Sequence, residues 1–161
     1  MKLLITDANI LIDLLKTDTI KEFFKLEYEI YTTQSIINEC NDSQQKVLQR
    51  YIKAGKLSIY SFTKNDEAEV EKLYHDHKYL SYPDCSVFYV SGLIKAVLLS
   101  GDQKLRSVSM DAGIQVRGIF WVFDEMLKYK ILDKKVYKAK LSELREVNQW
   151  LPQGEFKKRD V

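Results

Sequence analysis

Leu3-Leu4-Ile5-Thr6-Asp7-Ala8-Asn9-Ile10-Leu11-Ile12-Asp13-Leu14-Leu15 joins an apolar run to an aspartate and then to a helical pattern. Leu3, Leu4 and Ile5 read as a strand buried on both faces, whereas Ile10, Leu11, Leu14 and Leu15 recur at the helical spacing of three and four. A strand therefore feeds directly into a helix, with Asp7 at the seam. In an open α/β sheet that seam lies at the carboxyl end of a strand, where ligand crevices form. Aspartate is also a favoured N-cap, so Asp7 alone fits a site residue and a helix cap equally well.

The same junction returns later. Ala96-Val97-Leu98-Leu99 reads as a strand, and Ser100-Gly101-Asp102 leads from it into a helix through Leu105 that stops near Gly113. Between the two junctions, Glu29-Ile30-Tyr31-Thr32 and Leu57-Ser58-Ile59-Tyr60-Ser61 are further strands. Ile114-Gln115-Val116-Arg117 is a short fifth one. Helices separate them. One carries Ile36, Ile37 and Cys40 with Glu39 near its end, and another starts at Ser43 and is stopped by Gly55 as a C′ residue. A third starts at Thr63 with Asp66 in an approximate capping box. Ser81-Tyr82-Pro83-Asp84 starts a fourth, with proline in the first turn and an acid at the positive end of the helix dipole. This alternation predicts an α/β fold, with a mostly parallel central sheet of about five strands covered by helices in three layers.

The nearly all-apolar segment Ile119 to Leu127 reads as a helix that is deep in the core or pressed against a partner. A terminal helix from Asp133 to about Leu151 completes a domain spanning 1–152. Pro152 and Gly154 then release residues 153–161, read as a mobile polar tail.

Composition narrows the function classes. With 161 residues, 45% of them hydrophobic, the chain suits one domain with a core of its own. Lys and Arg number 25 against 23 Asp and Glu, so any basic surface for a polyanion must be local. Cys40 and Cys85 have no CxxC spacing and fit a reducing compartment. No signal-like segment opens the chain and no apolar run spans a bilayer, so the expectation is a cytoplasmic protein with no membrane contact. Neither GxGxxG nor GxxxxGK[ST] occurs. His75 and His77, one residue apart on a helix, point in different directions and make a poor pair of metal ligands.

In this frame Asp7, Glu39, Asp84 and Asp102 are candidates for a shared crevice. Carboxylates crowded together raise one another's pKa unless a cation neutralises them. Hard oxygen donors suit Mg²⁺ or Mn²⁺, and such ions serve phosphodiester hydrolysis by activated water. Asn9 and Ser100 are hydrogen-bonding groups placed to orient the acids. Lys104 and Arg106 are candidates for phosphate contact. Asp13, Asp111 and Asp124 read as solvated residues or helix caps.

Most of the chain resembles the PIN-domain nucleases, especially the VapC-like toxins of toxin–antitoxin modules. The resemblance rests on Ile5-Thr6-Asp7-Ala8-Asn9, on Glu39, on Pro83-Asp84 and on Leu99-Ser100-Gly101-Asp102-Gln103-Lys104-Leu105, with Gly118 and Trp121 beyond. It implies a PIN-like fold in which Asp7, Glu39, Asp84 and Asp102 bind Mg²⁺ or Mn²⁺ and carry catalysis, supported by Thr6, Asn9 and Ser100. It further implies an endoribonuclease acting on RNA, a small antitoxin protein that restrains it, and a homodimer. A housekeeping RNA-processing nuclease and a catalytically silent PIN-like interaction module are the competing readings. A haloacid-dehalogenase-like phosphatase is disfavoured, because its second aspartate would stand where this chain has Asn9.

Overall fold

A computed structural model describes residues 2–161. Strand β1 (Leu3–Thr6) leads to α1 (Ala8–Lys16) and α2 (Ile20–Phe23), and β2 (Glu29–Thr32) to α3 (Gln34–Glu39) and α4 (Asp42–Lys53). Next come β3 (Ser58–Ile59), α5 (Lys64–Asp76) and α6 (Tyr82–Ile94), followed by β4 (Val97–Leu99) and α7 (Gln103–Asp111). Strand β5 (Val116–Arg117) precedes α8 (Ile119–Lys128), α9 (Lys134–Val147) and α10 (Gln153–Lys158).

All pairings are parallel, in the order β3-β2-β1-β4-β5. The inner strands β1 and β4 are the apolar ones: Leu4, Ile5, Leu98 and Leu99 are fully buried, as strands covered on both faces require. Both edges are two-residue strands, β3 and β5, which leaves little unpaired backbone to template aggregation. The chain moves outward from β1 through β2 to β3, then crosses back to β4 and β5. Right-handed crossovers therefore put α1, α2 and α4 on one face and α5, α6 and α7 on the other. Packing agrees: α5, α6 and α7 touch in sequence, while α1 packs on α2 and α9, and α2 on α8. Helix α3 touches both α1 and α6.

Local sequence accounts for most helix ends. Asn41 caps α4 in a capping box with Gln44, so that helix starts slightly earlier than Ser43. Thr63 and Asp66 form the expected box on α5. Gly55, at φ +73°, follows the last residues of α4 in the left-handed region that a C′ glycine supplies. Gly118 is a close approach instead, since a Cβ there would come within 3.3 Å of the Arg106 guanidinium and push it aside.

The structure revises three readings of the sequence. Residues 153–161 are no loose tail: α10 buries Phe156 completely, packs it edge-on against Phe120 of α8, and anchors Arg159 to Asp124. Its one aromatic finds a slot that a polar sequence pattern does not advertise. Asp124 is accordingly no mere solvated residue, as it accepts from Tyr137 Oη (2.6 Å) as well as from Arg159. Asp13 is buried rather than solvated, and Asn148 Nδ2 donates to its Oδ2 at 2.8 Å.

Burial holds the Asp13 carboxyl above the ordinary range and the Asn148 amide pulls it back down. Asn148→Ala would strand a buried acceptor, at a cost of about 1–3 kcal/mol. A urea midpoint unchanged from the parent would show that this link contributes nothing. Helix α8 turns Ile119, Val122, Phe123 and Met126 into the core, while α10 covers Phe120, so this chain itself shields much of its apolar surface. No helix among the described residues is long and apolar enough to cross a membrane.

Candidate active site

The strand order decides the site. Because β1 and β4 are neighbours, with Thr6 paired to Leu99, the acids that follow them emerge side by side. This is where the chain reverses its direction of winding, the usual place for a crevice in an open parallel sheet. The ladder continues into the loops: Asp7 N–H donates to Leu99 O (3.0 Å) and Ser100 N–H to Arg117 O (3.0 Å). The backbone beneath both acids is thus fixed by the sheet.

Three aspartates occupy helix N-termini. Asp7 caps α1, its Oδ1 accepting from Ile10 N–H at 3.1 Å, and Asp102 caps α7 through Leu105 N–H at 2.9 Å. Asp84 is the third residue of α6, where Pro83 occupies the first turn and Ser81 forms a reciprocal box: Asp84 Oδ2 accepts from Ser81 N–H, and Ser81 Oγ accepts from Asp84 N–H. Each carboxylate gives one oxygen to the backbone, so its direction is fixed while the second oxygen is left free of the backbone. Glu39 is the last residue of α3 and is exposed.

Their electrostatics tie the four together. Asp7 is 4% exposed, and its pKa is pushed up to about 7. Burial is the main cause; the Ser100 hydroxyl and the Ile10 N–H oppose it, and the charges of Asp84 and Asp102 add to it. Asp84 is raised by burial, against the pull of Ser81, and by Asp102. Glu39, although its side chain reaches the surface, is raised by partial desolvation against the neighbouring protein and by the charge of Asp84. Asp84 thus acts on both Asp7 and Glu39, which makes it the centre of one negative field. Among the described residues no lysine or arginine forms an ion pair with any of the four.

No three of these side chains close into a ready-made metal cage among the described residues. The donor set nonetheless fits a small hydrated divalent cation. All donors are hard oxygens, one is a buried acid with no ion-paired cation, and Mg²⁺ is commonly held by one or two carboxylates while keeping several waters.

The polar supports are distributed unevenly. Ser100 stands between the acids, its Oγ accepting from Asp102 N–H (3.1 Å) while its hydroxyl lowers the Asp7 pKa. Thr6 reaches only the Asp7 carbonyl, and its own carbonyl accepts from Thr32 Oγ1, so it braces the backbone and not the carboxylate. Asn9 is exposed, and no hydrogen bond among the described residues ties it to an acid. Arg106 folds back so that Nη1 donates to Ser100 O at 2.8 Å, which makes it a prop for the Asp102 loop. Lys104 stays exposed on the first turn of α7.

A hydroxyl cluster escaped the sequence reading. Thr33, which caps α3, bonds Ser86 of α6 at 2.7 Å; Ser35 Oγ donates to Ser86 Oγ, and Ser86 Oγ reaches Pro83 O. The Glu39 helix is thereby clasped to the first turn of the Asp84 helix. These residues are 53 apart in sequence for the Thr33 pair, so no local pattern links them. Ser81 was legible: serine three residues before an acid is a helix-start signature.

Comparison with known proteins follows the same lines. Residues 3–159 match a family model described as "DUF3368: PIN domain". Among solved structures, the crystal structure of PAE2754 from Pyrobaculum aerophilum is similar at a TM-score of 0.53 and 16% identity, covering 79% of this chain and 98% of that one. At that identity the likeness is one of fold. No curated protein matches the chain.

Proposed function

The chain belongs to the PIN-domain family, and from that premise we propose that it is a Mg²⁺- or Mn²⁺-dependent endoribonuclease. PIN domains are generally nucleases and typically use divalent metals. The observation that carries the reading is the buried, uncompensated Asp7, which shares one field with Asp84 and Asp102 at the switch between β1 and β4. Asp7, Asp84 and Asp102 would hold the cation, with Glu39 at the margin. When bound, Mg²⁺ or Mn²⁺ supplies the charge that makes water a nucleophile near neutral pH and offsets the phosphate.

The protein's own part is preorganisation. Ile10, Ser81 and Leu105 N–H groups aim the three aspartates, and Ser100 sets Asp7 relative to Asp102. The Thr33–Ser86 clasp sets α3 against α6. No side chain is required as a covalent nucleophile, and because water rather than the ribose 2′-hydroxyl attacks the phosphorus in this reading, products with 5′-phosphate and 3′-hydroxyl ends are expected. The test is cleavage of RNA in Mn²⁺ with end-mapping, in which EDTA and Asp84→Asn should each abolish cutting. A 2′,3′-cyclic phosphate would refute the mechanism, and wild-type rates in Asp84→Asn would refute the site.

A toxin role, restrained by a small antitoxin, extends this reading. Its support is the resemblance of the acid-bearing motifs to VapC-like toxins, together with the physical need to restrain a free ribonuclease. Expression should arrest growth only with Asp7 and Asp84 intact, and the product of a neighbouring gene should relieve the arrest; harmless expression of active enzyme would favour RNA processing. Self-association through what α10 leaves uncovered of α8, including Trp121, belongs to the same reading. A monomer in light scattering at roughly tens of micromolar would remove it.

A further inference from the structure

An acidic crevice repels the polyanion it must cut, so a substrate needs a grip beside it. The formal net charge of +2 supplies no general attraction. One pair of side chains at the rim has the required chemistry. Tyr79 lies in the turn between α5 and α6 and is 79% exposed, an unusual setting for an aromatic ring. The turn itself is anchored: its neighbour Leu80 is buried, and Leu80 N–H donates to His77 O at 3.1 Å. Across from it, Lys104 Nζ sits 5.2 Å from the centre of the Tyr79 ring.

Their positions connect the pair to the acids. Tyr79 stands two residues before Ser81, which starts the Asp84 helix, and Lys104 stands two residues after Asp102. The contact therefore bridges the two segments that deliver Asp84 and Asp102. An exposed aromatic face is a platform for an unpaired base, because every base has a π-face to offer. An ammonium group beside it suits the adjoining phosphate. A base inside a duplex is already stacked and cannot use the platform.

We propose that Tyr79 and Lys104 form a nucleotide clamp at the mouth of the acidic crevice, in which Tyr79 stacks an unpaired base of single-stranded RNA and Lys104 meets its phosphate. The proposal rests on the nuclease reading for the identity of the ligand. Lys104 is held only by a weak contact at an exposed site, so it is available to the phosphate. Because stacking and phosphate contact read no base edges, the clamp grips the strand with little preference among bases.

The test uses a short fluorescent single-stranded RNA and its fully paired form, with binding measured by anisotropy in the Asp84→Asn protein. Tyr79→Ala should weaken single-strand binding about 5- to 150-fold, and Tyr79→Phe should retain it because the ring remains. Lys104→Met should weaken it and lower the salt slope by about 0.7. Thermal melts should not move, since both side chains are on the surface. The clamp is overturned if Tyr79→Ala binds like its parent, if Tyr79→Phe is as weak as Tyr79→Ala, if the duplex binds as tightly as the single strand, or if no RNA binds at all. Cleavage is scored separately with Asp84 intact. Tyr79-dependent binding without cleavage would sink the nuclease reading and leave the clamp standing, whereas cleavage indifferent to Tyr79 would do the reverse.

Discussion

Asp7→Asn is expected to make the cation-free protein more stable above neutral pH while abolishing its nuclease activity. The Asp7 carboxyl has an ordinary pKa of 3.8 and a folded value of about 7. Well below pH 4 it is neutral whether the chain is folded or not, and it costs nothing. Between pH 4 and 7 the unfolded chain releases this proton while the folded protein keeps it, so stability falls as pH rises through that window. Above about pH 7 the loss is complete, at roughly 4 kcal/mol.

Asparagine removes the ionisable group yet remains a good N-cap, so the bond from Ile10 N–H survives. At about 2–4 °C per kcal/mol for a domain of this size, the variant should melt about 8–16 °C above the parent at pH 8. At pH 4 the gap should shrink to about 1–2 °C, because most of the penalty accrues at higher pH. Adding Mg²⁺ should stabilise the parent, because a ligand of the folded state shifts unfolding by mass action, and should do little for the variant. Cleavage should fall at least about 100-fold, since several kcal/mol of charge stabilisation is lost with the ligand. Equal melting temperatures at pH 8 would mean that Asp7 is not a strained, uncompensated acid.

Phe156→Ala is the second large effect, with an expected loss of about 3–5 kcal/mol. Phe156 is fully buried, its ring centre 4.9 Å from that of Phe120 and its face 4.7 Å from the Arg145 guanidinium. Around it α10 is fastened by charge. Arg159 grips Asp124 with two bonds, Nε to Oδ1 at 2.9 Å and Nη2 to Oδ2 at 2.7 Å, and lies over Phe120. Arg145 also donates to the terminal Val161 carbonyl. The Arg159 bonds raise that guanidinium's pKa, but Asp124 is partly exposed, so the pair contributes far less than the buried ring. Phe156→Ala should therefore exceed Arg159→Met in a urea titration, and deleting residues 153–161 should exceed both. A deletion variant with the parent's midpoint would return this segment to the status of a loose tail.

What the sequence determined by itself is local. Alternating apolar runs and helical periods specify five strands and the helices between them. The residue types at the helix starts identify Asp7, Asp84 and Asp102 as end-of-helix acids, because an N-cap interacts with backbone only three residues away. Gly55 marks the end of α4 for an equally local reason, its positive φ. None of this says which strands are neighbours. Only the tertiary structure placed β4 against β1, and with it Asp102 beside Asp7 under the influence of Asp84. The same holds for groups whose partners are distant in the chain. Asp13 is buried and finds its hydrogen-bond partner in Asn148, 135 residues away, and Asp124 is engaged by Arg159 at a separation of 35. Arg106 turns back to Ser100 and away from solvent. A charged side chain's environment is set by whatever the fold brings to it across space. Periodicity records only which face a residue occupies on its own element, so the identity of that neighbour is absent from any local pattern.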